Sequence, residues 1–277
     1  MRRIESPSSI LTHRHCPRKY YYHYIEKRPT KSNIHTIRGN IVHEVLDTFF
    51  IGLQLDEEHY LEQSVQHLRT LFDKEWEKKK NELLSVGLHP GEMHSFYVET
   101  LGMLSLWLEK FLFRLTSLKL PIQEAFSLLT PLREQAYTSE KHAVRGYVDC
   151  IEQHNGKTRV MDYKTSSKAE MTNEYKVQLS IYALLYAEKH GAVPNDVGIY
   201  FLKHADKFEQ TISVTEELLK DAQFTIETHH LSTTSNQISD YPQHIGPLCK
   251  WSTGQCDFYE LCFPRQKKLD NFLQNQQ

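Results

Sequence analysis

Apolar positions recur at helical spacing through the first 118 residues and then give way to the two-residue alternation of strands. Leu61, Val65, Leu68 and Phe72 keep the helical period, as do Leu101, Leu104, Leu108 and Leu112. Residues 57–85 and 92–118 therefore read as two long helices separated by Gly87-Leu-His-Pro-Gly91. They make up most of a helical insert over residues 51–120. Ahead of it, Ser6 to Ile25 starts with Ser-Pro-Ser-Ser and reads as one capped helix. A polar stretch from Glu26 to Thr36 then leads into a helix carrying Gly39 and His43. Beyond the insert, Ile122–Leu129 and Arg133–Thr138 are expected strands, followed by a hairpin at 143–164. A helix from Lys176 to His190 ends at Gly191, with Pro194 just after it. Val197–Lys203 and Gln210–Val214 suggest a second hairpin, and Thr215 to His229 a helix with an acidic start. Residues 231–247 read as a loop, and the tail after Pro264 as polar and only partly ordered. The pattern is that of an α/β protein with a mixed central sheet flanked by helices.

The hairpin at 143–164 carries the candidate chemistry. Asn155-Gly156 between β-prone, alternating segments signals a two-residue type I′ loop, which needs positive φ at both central residues. His154 then pairs with Lys157, and the same register sets Asp149 opposite Asp162. Directly opposed carboxylates repel one another unless a cation lies between them. Lys164, two residues beyond Asp162, returns to the same face. Two hard oxygen donors suit Mg²⁺ or Mn²⁺, and a nearby ammonium suits charge developing on a phosphoryl group. The plainer alternative is a surface hairpin with two unrelated acids and a salt-bridging lysine.

The 277 residues carry a formal net charge of −2, with 39% apolar and 25% charged residues, ordinary values for a globular protein. Charge is uneven, however. Residues 1–40 hold nine lysines and arginines against only Glu5 and Glu26, a distribution that attracts phosphates. Tyr20, Tyr21, Tyr22 and Tyr24 lie beside Arg18 and Lys19; core packing is the favoured role for them, base stacking the other. The chain has no apolar run of the ~20 residues that a membrane helix needs and no apolar leader, so a cytoplasmic location without membrane association is expected. No nucleotide-binding loop or helicase signature occurs, so any DNA motor working with this chain is another polypeptide.

Five cysteines in such a chain argue against a disulfide framework. Cys16 lies near the N-terminus, while Cys249, Cys256 and Cys262 cluster near the C-terminus. Four thiolates suit either a zinc ion or a 4Fe–4S cluster, and spacing does not choose between them. Cys150, beside Asp149 but on the other strand face, reads as a small buried hydrophobe.

Gly146-x-x-Asp149, then Asp162-Tyr163-Lys164-Thr165, then Gln178-x-x-x-Tyr182, with Gly39-x-x-x-His43 upstream, resembles the PD-(D/E)XK nucleases of the RecB family. The resemblance implies a restriction-endonuclease-like core in a single nuclease domain over residues 1–277. It implies a metal held by His43, Asp149, Asp162 and the backbone carbonyl of Tyr163, with Lys164 catalytic and Gln178 and Tyr182 orienting DNA or supporting the site. Cys16-Pro17-Arg-Lys-Tyr20 and Cys256-Asp-Phe-Tyr-Glu-Leu-Cys262 are similar to the iron–sulfur branch, which includes the AddB nuclease and the exonuclease of CRISPR adaptation. That similarity implies a 4Fe–4S staple joining residues 1–25 to 245–265 through Cys16, Cys249, Cys256 and Cys262. The gap between Cys249 and Cys256 is longer than in many members. The implied activity is an exonuclease on single-stranded DNA in repair, recombination or CRISPR adaptation, with a separate helicase or CRISPR adaptation proteins as partners. Two rivals remain at this point: a non-catalytic DNA-binding scaffold and a zinc-stapled nucleic-acid-binding protein.

Overall fold

Five strands build one mixed sheet in the order β1-β2-β3-β4-β5. In the computed structural model, which describes residues 2–251 and 254–264, these are β1 (Leu132–Ser139), β2 (Val144–His154), β3 (Lys157–Lys164), β4 (Asp196–Phe201) and β5 (Glu209–Ser213). The polar tail after Pro264 lies outside the described residues. Asn155 and Gly156 take φ of 51° and 71°, as the type I′ loop requires, and pairing runs from His154 with Lys157 to Cys150 with Met161. β3 and β4 are parallel, and all other neighbours are antiparallel. The parallel pair needs a crossover, which helix α7 (Asn173–His190) supplies. Thr172 caps its first turn, accepting from the Tyr175 N–H, and Gly191 closes it in the left-handed conformation. Central β4 is buried along nearly its whole length, whereas edge strand β5 alternates, as the number of covered faces dictates.

Among the described residues, 32–224 form one compact unit around this sheet, and 2–31 with 225–251 and 254–264 form another. In the larger unit, α3 (Ile34–Thr48) starts where the Asn33 Oδ1 accepts the N–H groups of His35 and Thr36, both at 3.0 Å. Helices α4 (Tyr60–Ser85) and α5 (Pro90–Ser117) match the two long helices expected, and their apolar faces join the core through Phe72, Leu104, Trp107 and Phe111.

One expected strand is a helix. Residues Ile122–Leu129 form α6, with Ile122, Ala125, Phe126 and Leu129 buried. That spacing is helical. Glu124 is exposed on the helix surface.

In the smaller unit, the single helix expected over Ser6–Ile25 is interrupted. α1 (Pro7–His15) ends at Cys16, which is extended with φ −159° and ψ 106° because it precedes Pro17. α2 (Pro17–Tyr20) resumes and passes into a π-helical turn, Tyr21–Ile25. Tyr20, Tyr21 and Tyr22 are buried against Tyr241 and Phe258, so they pack a core and are closed to base stacking. Four of the basic residues here are also engaged: Arg2 pairs with Glu227, Arg3 and Arg18 bond to Tyr20 and the Tyr241 carbonyl, and Arg28 pairs with Glu26. After α8 (Glu216–Ser232), the smaller unit contains a short pair of strands, β6 (Lys250–Trp251) and β7 (Gly254–Gln255), and a last turn, α9 (Tyr259–Cys262).

Glu5 is buried in this unit, accepting from the Ser9 hydroxyl at 2.6 Å and from the Tyr20 hydroxyl at 2.5 Å, with His229 Nε2 at 3.5 Å. Burial alone would push its carboxyl up, but these partners outweigh that and hold it at about 2. A folded value below the unfolded one stabilises above the unfolded range near 4.5 and ceases to as pH falls toward 2. Acid titration followed by circular dichroism should therefore show wild type losing stability between pH 5 and pH 2 more steeply than Glu5→Gln. Parallel curves would show that the buried carboxylate carries no such linkage.

Candidate metal centre and catalytic cleft

His43 reaches from α3 to the start of the β2–β3 hairpin. Its Nε2 lies 3.0 Å from the Tyr163 carbonyl oxygen and its Nδ1 lies 3.4 Å from Asp149 Oδ1. The β2–β3 ladder ends one pair short of Asp149 and Asp162, and there Asp149 Oδ2 accepts the Tyr163 backbone N–H at 2.9 Å. On the other side of β2, the β1 register of Arg133 with Cys150 and Gln135 with Val148 brackets Glu134 opposite Asp149. Ligand atoms of His43, Glu134 and Asp149 all lie within 4.8 Å of one another. These three, with Tyr163 and Lys164, line an open cleft of about 620 Å³.

Asp162 sits behind this group, only 2% exposed. Its Oδ2 is 2.6 Å from Lys164 Nζ, and its Oδ1 accepts from Gln178 Nε2 at 2.9 Å. Gln178 also donates to the Tyr182 hydroxyl at 2.9 Å. Gln178 and Tyr182 share a face of α7 because they are four residues apart. The structure thus gathers every hairpin and helix residue singled out in the sequence into two adjoining layers. One is the open group of His43, Glu134, Asp149 and the Tyr163 carbonyl. The other is the chain Lys164–Asp162–Gln178–Tyr182.

The electrostatics show crowded anions. Burial pushes Asp162 up to about 6, with Asp149 adding to the effect and Lys164 opposing it. Burial, and after it Asp149, also raise Glu134 above the ordinary carboxylate range. His43 is carried to about 9: burial would lower it, but the neighbouring Asp149 carboxylate prevails. A hard divalent cation would relieve this repulsion, and one imidazole, several carboxylate oxygens and a carbonyl suit Mg²⁺ or Mn²⁺. The residues present therefore fit the metal that the hairpin implied.

Glu134 escaped the sequence reading. Its register could not be read because β1 and β2 are joined by four residues without a two-residue turn signal, and Ala143 takes φ 47°. Glu134 itself has φ 45°, left-handed backbone that costs energy for a residue with a Cβ and persists where its surroundings enforce it.

A model of the PD-(D/E)XK nuclease superfamily matches residues 5–263. The chain belongs to that superfamily. Among solved structures, this PD-(D/E)XK chain is similar to the crystal structure of a candidate exonuclease from Eubacterium rectale. The TM-score is 0.51 at 11% identity, covering 94% of this chain and 92% of that one, a likeness of fold. A second structure, of SSO0001, aligns over 73% of this chain and 87% of that one at 16% identity, with a TM-score of 0.27. No curated protein matches the chain. No helix among the described residues is long and apolar enough to cross a membrane.

Gly146, part of the motif before Asp149, has a packing reason. A Cβ there would stand 2.9 Å from Tyr182 Cε1 and 3.1 Å from Leu185 Cδ1. The missing side chain lets α7 approach β2 closely enough for Gln178 to reach Asp162. Gly146→Val should therefore cost about 1–3 kcal/mol of stability and displace Gln178 from Asp162. Urea unfolding measures the first effect, and the second appears as a larger loss of cleavage than of stability.

The four cysteines predicted to act together do converge within the smaller unit. Cys16, Cys249, Cys256 and Cys262 line one small cavity with Phe258 and Tyr259. Burial, then Cys16 and Cys256, push the Cys262 thiol up to about 11. Cys150 is buried, as expected for a thiol on the far face of β2.

Proposed function

We propose that this protein is a metal-dependent DNA nuclease that hydrolyses phosphodiester bonds from the ends of single strands. The observation that carries this reading is the convergence of His43, Glu134, Asp149 and the Tyr163 carbonyl beside the Lys164–Asp162 pair. A divalent ion held by His43, Glu134, Asp149, Asp162 and the Tyr163 carbonyl would supply Lewis-acid activation of the phosphate and of water. Lys164 places its ammonium at the cleft wall, where it stabilises negative charge building on the phosphoryl oxygens. Gln178 holds the Asp162 carboxylate in orientation, and Tyr182 anchors Gln178. The carbonyl contribution of Tyr163 is set by β3, whose pairing with β4 fixes that strand rigidly. A pure scaffold would have no need of this polar layer, because burying charged groups so close together is costly.

The cysteine cavity supports a 4Fe–4S cluster on Cys16, Cys249, Cys256 and Cys262. The choice of an iron–sulfur cluster over a zinc ion follows the resemblance of these cysteines to the iron–sulfur branch, since both centres accept four thiolates. The single-strand preference and exonuclease action, and a place in repair, recombination or CRISPR adaptation beside a separate helicase, follow the family resemblance. The test is end-labelled single- and double-stranded DNA, with RNA alongside, incubated with Mg²⁺ or Mn²⁺. Progressive shortening of single-stranded DNA from an end supports the proposal. Absence of any metal-dependent cleavage of nucleic acid overturns it.

A further inference from the structure

The catalytic cleft is not symmetric about its metal group. Helix α3 forms one wall and presents Thr36, Asn40, His43, Glu44 and Asp47, spaced three or four apart, as one face. At 1.5 Å of rise per residue, Thr36 lies about 10 Å before His43 and Asp47 about 6 Å beyond it. The first turns of α3 sit beside the end of β3. Glu99 joins Arg38 of α3 to Lys203, whose neighbour Leu202 donates its N–H to the Lys164 carbonyl. The last turn instead reaches β1, where Asp47 Oδ1 lies 3.4 Å from Arg133 Nε.

The two ends of the cleft therefore differ in charge. Towards β3 the lining is Thr36, Gly39, Asn40, Lys164 and Thr165, with no carboxylate among these residues. Towards β1 it is Glu44, Asp47 and Glu134, with Arg133 behind Asp47. Glu44 is exposed, and among the described residues no cation pairs with it. Glu134 belongs with His43 and Asp149, but neither Glu44 nor Asp47 joins a set of three ligand atoms within 4.8 Å among the described residues. These two acids are thus left as anions at the mouth of the cleft. A strand passing right through would carry a phosphate on each side of the bond being cut. On the β1 side that phosphate would lie against Glu44 and Asp47, and a cleft focuses such like-charge repulsion. A strand that ends there brings no further phosphate.

We propose that Glu44 and Asp47 form an acidic lip that admits a strand end and excludes a continuing strand, and so determine end-directed cleavage. The proposal rests on the nuclease reading and gives its exonuclease part a physical basis. The test compares linear single-stranded DNA with the same sequence closed into a circle, each incubated with Mn²⁺. Wild type should cut the linear form at least about 100-fold faster, and Glu44→Gln should lower that ratio about tenfold. Glu44→Lys and the double variant Glu44→Gln/Asp47→Asn should lower it further, while all three cut linear strands near the wild-type rate. Because the lip acts through space, added salt should lower the wild-type ratio and leave that of the double variant unchanged. Calorimetric Mn²⁺ titration of the double variant should match wild type. Wild-type discrimination in all three variants would overturn the proposal, as would rapid cutting of circles by wild type itself. Loss of a bound Mn²⁺ from the double variant would also overturn it, by making the lip a second ion site. Failure of the nuclease reading looks different, since neither linear nor circular strands would then be cut with any metal.

Discussion

Lys164→Ala is expected to bind Mn²⁺ much as wild type does and yet to hydrolyse DNA about 10²–10³-fold more slowly, the loss seen when one preorganised electrostatic group is removed. Lys164 Nζ lies 2.6 Å from Asp162 Oδ2 and 5.4 Å from the centre of the Tyr175 ring, so its position is held from two sides. Its own pKa is raised, because the Asp162 carboxylate outweighs the lowering effect of burial. The cation is therefore permanent and fixed, as charge stabilisation requires. Asp149→Ala should behave differently, losing cleavage and metal binding together. Asp149 faces His43 and Glu134, and its removal breaks up the only group of three ligands within 4.8 Å among the described residues. Calorimetric Mn²⁺ titration beside a labelled-DNA assay separates the two variants. Wild-type cleavage by Lys164→Ala, or by Asp149→Ala, would reject the assignment of roles.

The contrast between what could and could not be read in the chain has a local physical origin. The β2–β3 hairpin was legible because Asn155-Gly156 leaves little choice of loop, and the loop sets the register of every residue behind it. From that register followed the neighbourhood of Asp149, Asp162 and Lys164. Glu134 follows from the same kind of pairing on the other side of β2, but its four-residue connection carries no comparable signal. α6 differs from the expected strand for another reason: its short apolar run suits a buried strand or a helix, and only the spacing of Ile122, Ala125, Phe126 and Leu129 tells them apart. The break at Cys16 was written in Pro17, whose ring disfavours helix at the preceding residue. That break turns the cysteine out of the helix toward the cavity it shares with Cys249, Cys256 and Cys262.

Replacing Cys256 should have the other large effect, and it should fall on stability before activity. Protein purified without oxygen is expected to be brown and to contain iron and acid-labile sulfide; Cys256→Ser should be pale and melt at least about 10 °C lower. The magnitude follows from what holds the smaller unit. Two segments far apart in sequence meet there around Tyr20, Tyr21, Tyr22, Tyr241 and Phe258, a small core. A bound cluster adds its binding free energy to folding, since the unfolded chain offers no preformed site. It also closes a loop from residue 16 to residue 249 and beyond, although loop entropy grows only slowly with length. The metal cleft lies wholly among residues 32–224, so its ligands do not depend chemically on the cluster. Cys256→Ser protein should accordingly keep residual metal-dependent cleavage at low temperature and lose it on warming well before wild type does. Metal analysis showing zinc and no iron in a colourless wild type would replace the cluster with a simpler staple. A Cys256→Ser protein with unchanged melting would show that the four thiols hold nothing on which folding depends.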